Sequence, residues 1–101
     1  MKKITKIAWA KVIEVACDIA NASEAGDDVL VTAHTEKLFA VLDELEEEFG
    51  EHPELYDTRA DFTDDPEERM RLYKYALQLA VTIDDQVVKA EIQESISRHL
   101  Q

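Results

Sequence analysis

Both glycines and both prolines of this 101-residue chain fall between stretches of helical apolar spacing, and none falls inside one. Inside a helix a Gly costs about 1 kcal/mol and a Pro about 3 kcal/mol relative to Ala, so these four residues mark boundaries. Between them apolar residues recur at i, i+3, i+4 and i+7. Only Val29-Leu30-Val31-Thr32 has the composition of a strand. The expectation is an all-α fold of about four long helices and one short helix. Its antiparallel hairpins stack as a small bundle or repeat-like array, in a single domain spanning residues 1–101.

The first helix is expected over residues 3–24, with Ile4, Ile7, Ala8, Val12, Val15, Ala16 and Ile19 in one stripe. Trp9, Ile13, Cys17 and Ala20 widen that stripe, and a face so broad is expected to touch neighbours on two sides, the second helix and part of a later one. Gly26 suits a left-handed cap, and Asp27 or Asp28 can accept from the amides that open the next helix. Helix two runs from about Asp28 to Phe49 and buries Leu30, His34, Leu38, Val41, Leu42, Leu45 and Phe49, with His34 read as a core histidine. Gly50 ends it, and His52-Pro53 opens a short helix to Phe62 that partly buries Leu55, Tyr56 and Phe62. Asp65-Pro66-Glu67-Glu68 combines an N-cap, a first-turn proline and a capping-box Glu68. Helix four then carries Met70, Tyr73, Ala76, Leu77, Ala80 and Val81, flanked by Leu72 and Leu79, to about Thr82. Asp84 or Asp85 caps the last helix, whose stripe is Val88, Ile92, Ile96 and Leu100.

The charge is unevenly distributed. Asp43 to Glu68 holds thirteen acids against Arg59 alone, a balance of −12 that equals the formal charge of the chain; the other seventy-five residues hold ten acids and ten bases. Because the acids are interleaved with Leu, Phe and Tyr, they belong to a folded surface rather than a tail. Asp43, Glu44, Glu46, Glu47 and Glu48 crowd the end of helix two, where the helix dipole disfavours negative charge. Such a sector repels nucleic-acid phosphates and anionic membranes and suits a basic protein partner.

No catalytic machinery is visible. The acids are too many and too close to solvent to mark a carboxylate pair with a shifted pKa. His34, His52 and His99 lie far apart, without zinc spacing, and Asp61–Glu68 lacks the alternation and central glycine of a calcium loop. There is no phosphate-binding glycine loop and no nucleophile turn, so neither enzyme activity nor a cofactor or metal is expected. Cys17, the lone cysteine, is read as a buried inert thiol. Lys6, Lys11 and Glu14 interrupt any secretory apolar run, and nothing approaches the roughly 20 apolar residues of a membrane span, which implies a cytoplasmic protein.

An offset of 34 residues places Leu38 on Leu72, Phe39 on Tyr73, Leu45 on Leu79, Phe49 on Ile83 and Phe62 on Ile96, and the turn at Gly50 on the turn at Asp84. That is the tetratricopeptide period. Pro53 to Ala80, with Leu55-Tyr56, Ala60, the Asp64–Glu68 turn, Leu72-Tyr73 and Ala76-Leu77, resembles one such repeat, although the family's Trp and Leu-Gly positions are missing. As a small, strongly acidic chain of helix pairs, the protein also resembles the immunity proteins of bacterial toxin systems, such as contact-dependent inhibition and Rhs-type toxins. That resemblance implies a protein that binds a basic toxin domain, for instance a nuclease, and occludes its active site. The residues expected to carry the charge are Asp43, Glu47, Glu48, Glu51, Glu54, Asp57, Asp61, Asp64 and Asp65, with Tyr56 as an aromatic anchor. The alternative is a tetratricopeptide-like adaptor or chaperone holding a peptide in a helical groove, and a third reading is an acidic enzyme subunit. Monomer and homodimer remain open.

Overall fold

The computed structural model describes residues 2–83 and 85–99, with the side chain of His99 outside the description. It is all-α: α1 (Lys6–Glu24), α2 (Asp28–Phe49), α3 (Pro53–Asp61), α4 (Pro66–Thr82) and α5 (Gln86–His99). No strand occurs among the described residues, and Val29–Thr32 forms the start of α2. The helices fall into two compact units, Met1–Gly50 and Glu51–Gln101.

The first unit is a hairpin of α1 on α2. Thr5 opens α1 by accepting from the Ala8 amide at 3.1 Å. At its other end the Gly26 amide donates to Ser23 O (3.0 Å) and the Asp27 amide to Ala22 O (2.9 Å), with Gly26 at φ +72. This pair of hydrogen bonds is a Schellman close, and only Gly adopts the left-handed position without strain. The Asp27 carboxylate then accepts from Leu30 N at 3.0 Å and starts α2. One residue thus closes one helix and opens the next, which keeps the link short and the hairpin antiparallel.

The buried face of α1 is narrower than its apolar pattern. Val12, Val15, Ile19 and Ala22 are buried, while Ile7 is 88% exposed and Ile13 55%. Ala20 is exposed too, and Cys17 is exposed rather than buried, so the expected inert core thiol is corrected to a surface one. The physical reason is arc: one antiparallel neighbour covers only one stripe of positions three and four apart. On α2, Leu38, Val41, Leu42, Leu45 and Phe49 are buried as expected, whereas Leu30 is exposed and His34 only half-buried.

In the second unit α3 packs on α4, α4 on α5 and α3 on α5. Its core is Leu55 and Ala60 of α3, Tyr73, Ala76 and Ala80 of α4, and Ile92 of α5; Tyr56, Leu77, Val88 and Ile96 lie against Ala76, Ala80 and Ile92. The alanines let the helices approach closely, and each fully buried large apolar side chain contributes roughly 1.5–3 kcal/mol. Val81, expected in the stripe, is exposed. The Asp65 carboxylate caps α4 by accepting from Glu67 N, but Glu68 does not reach back to complete a capping box; it pairs with Arg71 instead. Asp85 repeats the double duty of Asp27: its amide donates to Ala80 O (3.0 Å) and its carboxylate accepts from Val88 N (3.1 Å). Asp84 and Leu100, the other expected cap and stripe residues, lie outside the described residues.

Candidate functional site

The candidate residues divide between the two units. Asp43, Glu47 and Glu48 are exposed on the last turns of α2. The antiparallel hairpin brings the start of α1 to that same end, and the Lys2 ammonium lies 5.1 Å from the centroid of the Phe49 ring. Three bases, Lys2, Lys3 and Lys6, therefore stand at the end occupied by Asp43, Glu44, Glu46, Glu47 and Glu48. The positive end of the α1 dipole also lies beside the negative end of α2. A charge balance taken along the sequence misses this compensation, because its bases lie some forty residues earlier in the chain.

The other candidates belong to the second unit. Glu51, exposed, accepts at one oxygen from two tyrosines, Tyr75 at 2.6 Å and Tyr56 at 2.9 Å. The rings meet edge to face with centroids 4.7 Å apart, a favoured aromatic geometry. The two hydroxyls, Tyr75 first, hold the Glu51 carboxyl below the ordinary carboxylate range. Tyr56 is therefore half-buried and already engaged through both ring and hydroxyl, which leaves only part of it to act as an anchor.

Asp57 and Asp61 lie one turn apart on α3. Asp61 is exposed and accepts from the hydroxyl of Tyr73, a fully buried residue of α4. Burial first, and then that bond, raise the phenol of Tyr73. Asp57 is half-buried, with Oδ1 enclosed and without a hydrogen-bond partner among the described residues. Its carboxyl is pushed up to about 6, chiefly by burial and then by the charge of Asp61; Glu91 adds to the rise, while Ser95 and Arg98 oppose it. Glu54 is raised as well, by burial, with His52 opposing. His52 is itself buried at the start of α3, its Nδ1 4.0 Å from the Glu54 carboxylate.

In the turn between α3 and α4, the Arg69 guanidinium donates to the carbonyl oxygens of Thr63 (2.9 Å) and Asp64 (3.2 Å). That clamp fixes the backbone and leaves the Asp64 side chain exposed, while Asp65 is occupied as the cap of α4. Several candidate acids thus serve the fold: Glu51 holds two tyrosines, Asp61 holds Tyr73 and Asp65 starts a helix. Tyr75 and Tyr73, which organise these carboxylates, carry no sequence signal for that role, since their partners are 24 and 12 residues away. No group of three or more metal-ligating side chains converges among the described residues, and no helix there is long and apolar enough to cross a membrane.

Comparison of the chain with protein-family models, with curated proteins and with solved structures gave no significant match.

Proposed function

We propose that this chain is a protein-binding inhibitor, an immunity protein that docks on a basic bacterial toxin domain, such as a nuclease, and occludes its active site. The observation that supports this reading is the concentration of the whole formal charge in Asp43–Glu68, where Asp43, Glu47, Glu48, Glu51, Asp61, Asp64 and Asp65 are exposed. Carboxylates on a helical scaffold would take the place of a substrate's phosphates, and clustered negative charge raises encounter rates with a basic partner by roughly 10–1,000-fold. Glu47, Glu48 and Asp64 are exposed candidates whose side chains make no hydrogen bond among the described residues, and they are the first to vary.

The test is capture from host lysate with this chain as bait, washed at low salt and eluted with rising salt, with mass spectrometry of each fraction. One strongly basic protein released in a single salt step, and lost when Glu47, Glu48 and Asp64 are changed to Lys, is the expected result. Recovery of nothing overturns the reading. A second reading, a tetratricopeptide-like adaptor, draws on the consecutive pairing of α3 with α4 and α4 with α5. It predicts clients of mixed charge that survive high salt.

A further inference from the structure

The outer face of α1 carries a second pattern. Directly opposite the buried Val12, Val15, Ile19 and Ala22 lie Lys6, Ala10, Ile13, Cys17, Ala20 and Glu24, all of them exposed. At 100° per residue these six fall within an arc of about 80°. Their alternating spacing of four and three residues is that of a heptad seam. The seam is also palindromic about Val15: apolar residues occupy its middle, a base its first position and an acid its last.

We infer that this face pairs with the same face of a second copy, with the two α1 helices antiparallel across a two-fold axis near Val15. Ile13 then meets Cys17 of the second copy, Ala10 meets Ala20, and Lys6 meets Glu24. The opposite, parallel orientation sets Lys6 on Lys6 and Glu24 on Glu24. Alanine and cysteine at the contact let the backbones approach closely, as small residues do wherever helices pack tightly. The contact is isologous, so a single self-complementary patch closes the assembly at two copies.

The helix ends point the same way. Lys6 is the first residue of α1 and Glu24 the last, and its first turn has no acid and its last turn no base. Each charge opposes its own helix dipole and is unfavourable in an isolated helix. In the antiparallel pair each faces a side chain of opposite sign and the opposite end of the neighbour's dipole. Within the hairpin Lys6 already faces the acids at the end of α2 and Glu24 the start of α2, and the antiparallel pair gives each a second contact of opposite sign. Glu14 flanks the seam near the axis and opposes its own copy, which keeps the pair weak. One helix face also buries less than a standard interface, so a dissociation constant on the order of micromolar is expected.

Sedimentation equilibrium of the full chain over a dilution series at low salt tests this. The expected result is a monomer–dimer equilibrium that Ile13→Asp abolishes. Lys6→Glu and Glu24→Lys should each raise the dissociation constant by about tenfold, two symmetry-related pairs being lost, and the double exchange should restore it to within about twofold. Both single changes give α1 the sign its own dipole favours, but Lys6→Glu also sets an acid beside those at the end of α2. Thermal unfolding of each variant is therefore measured alongside, and Glu24→Lys, at the other end of α1, serves as the second probe. A monomer mass at every concentration overturns the inference, as does a double exchange that fails to restore association.

Discussion

The hydroxyl of Tyr73 donates to Asp61, tying the middle of α4 to the last residue of α3. The ring is fully buried, but its acceptor is an exposed carboxylate that can hydrate when the bond is lost. Tyr73→Phe is therefore expected to cost about 1.5 kcal/mol, the lower end of what one hydrogen bond to a charged group contributes. Tyr73→Ala also empties a core position and is expected to cost about 3–5 kcal/mol. Urea midpoints at neutral pH measure both. Asp61→Lys breaks the same bond, so loss of partner binding by that variant confounds charge with stability.

Glu51 holds two tyrosine hydroxyls with one oxygen, and both favour its ionised form. Tyr75→Phe is expected to return its carboxyl toward the ordinary range, and Tyr56→Phe to do so by less, since Tyr75 is the larger cause of the depression. Side-chain carboxyl titration by NMR reads this directly. Equal and negligible shifts in the two variants would show that the tyrosines do not hold the group.

The helices were legible because their signals are local. Gly26, Asp27, Pro53 and Asp65-Pro66 each act on neighbours within four residues, and the structure places helix ends at all of them. What each helix face buries depends on which neighbours arrive. Ile7, Ile13 and Cys17 match the helical period as well as Val12 and Val15 do, and nothing local tells the covered side of a wide stripe from the open one. The candidate site was legible as a charge distribution and illegible as chemistry. That Glu51 would engage Tyr75, that Asp61 would engage Tyr73 and that Lys2 would reach Phe49 all depend on tertiary pairing.

Cys17 lies on the open face of α1. Its thiol is expected to react with a thiol reagent in dilute native protein at a rate within about threefold of that in the unfolded chain, because the reagent reaches an exposed sulfur without any opening of the fold. A stopped-flow or slow colorimetric titration suffices. Protection by orders of magnitude would return the residue to the core.

If the exposed acids steer a basic partner, the effect belongs to the association rate. Glu47→Lys, Glu48→Lys and Asp64→Lys together are expected to slow association with the captured partner by at least about tenfold at low salt and to flatten its salt dependence, with a smaller change in dissociation. None of the three side chains caps a helix or holds a tyrosine, so thermal unfolding should shift little. Surface plasmon resonance across a salt series gives both rates. Unchanged association would remove the electrostatic part of the proposal.

Asp57 gives the fold a pH dependence of unusual sign. Its carboxyl titrates at about 6 in the folded chain against 3.8 ordinarily, because burial and the charge of Asp61 disfavour the ion and Oδ1 has no donor among the described residues. Between those two values the native state holds a proton that the unfolded chain has released, so stability rises as pH falls from 7 through 6 toward 4 and is lost again on return to neutral pH. Two pH units convert to roughly 3 kcal/mol, and since the side chain is only half-buried, solvent screening reduces this to about 1 kcal/mol. Glu54, also raised, adds to the same trend. Glu51 and Glu68, both lowered, act with the opposite sign, and only once the pH approaches their ordinary values near 4.5. Asp57→Asn is neutral at every pH, so it should stabilise the protein at pH 7 by about 1 kcal/mol and remove most of the rise between 7 and 5. Urea unfolding of both proteins at pH 7, 6 and 5 decides it: a wild-type stability that falls steadily over that range, in parallel with the variant, would mean that Asp57 is ionised and solvated in the native state.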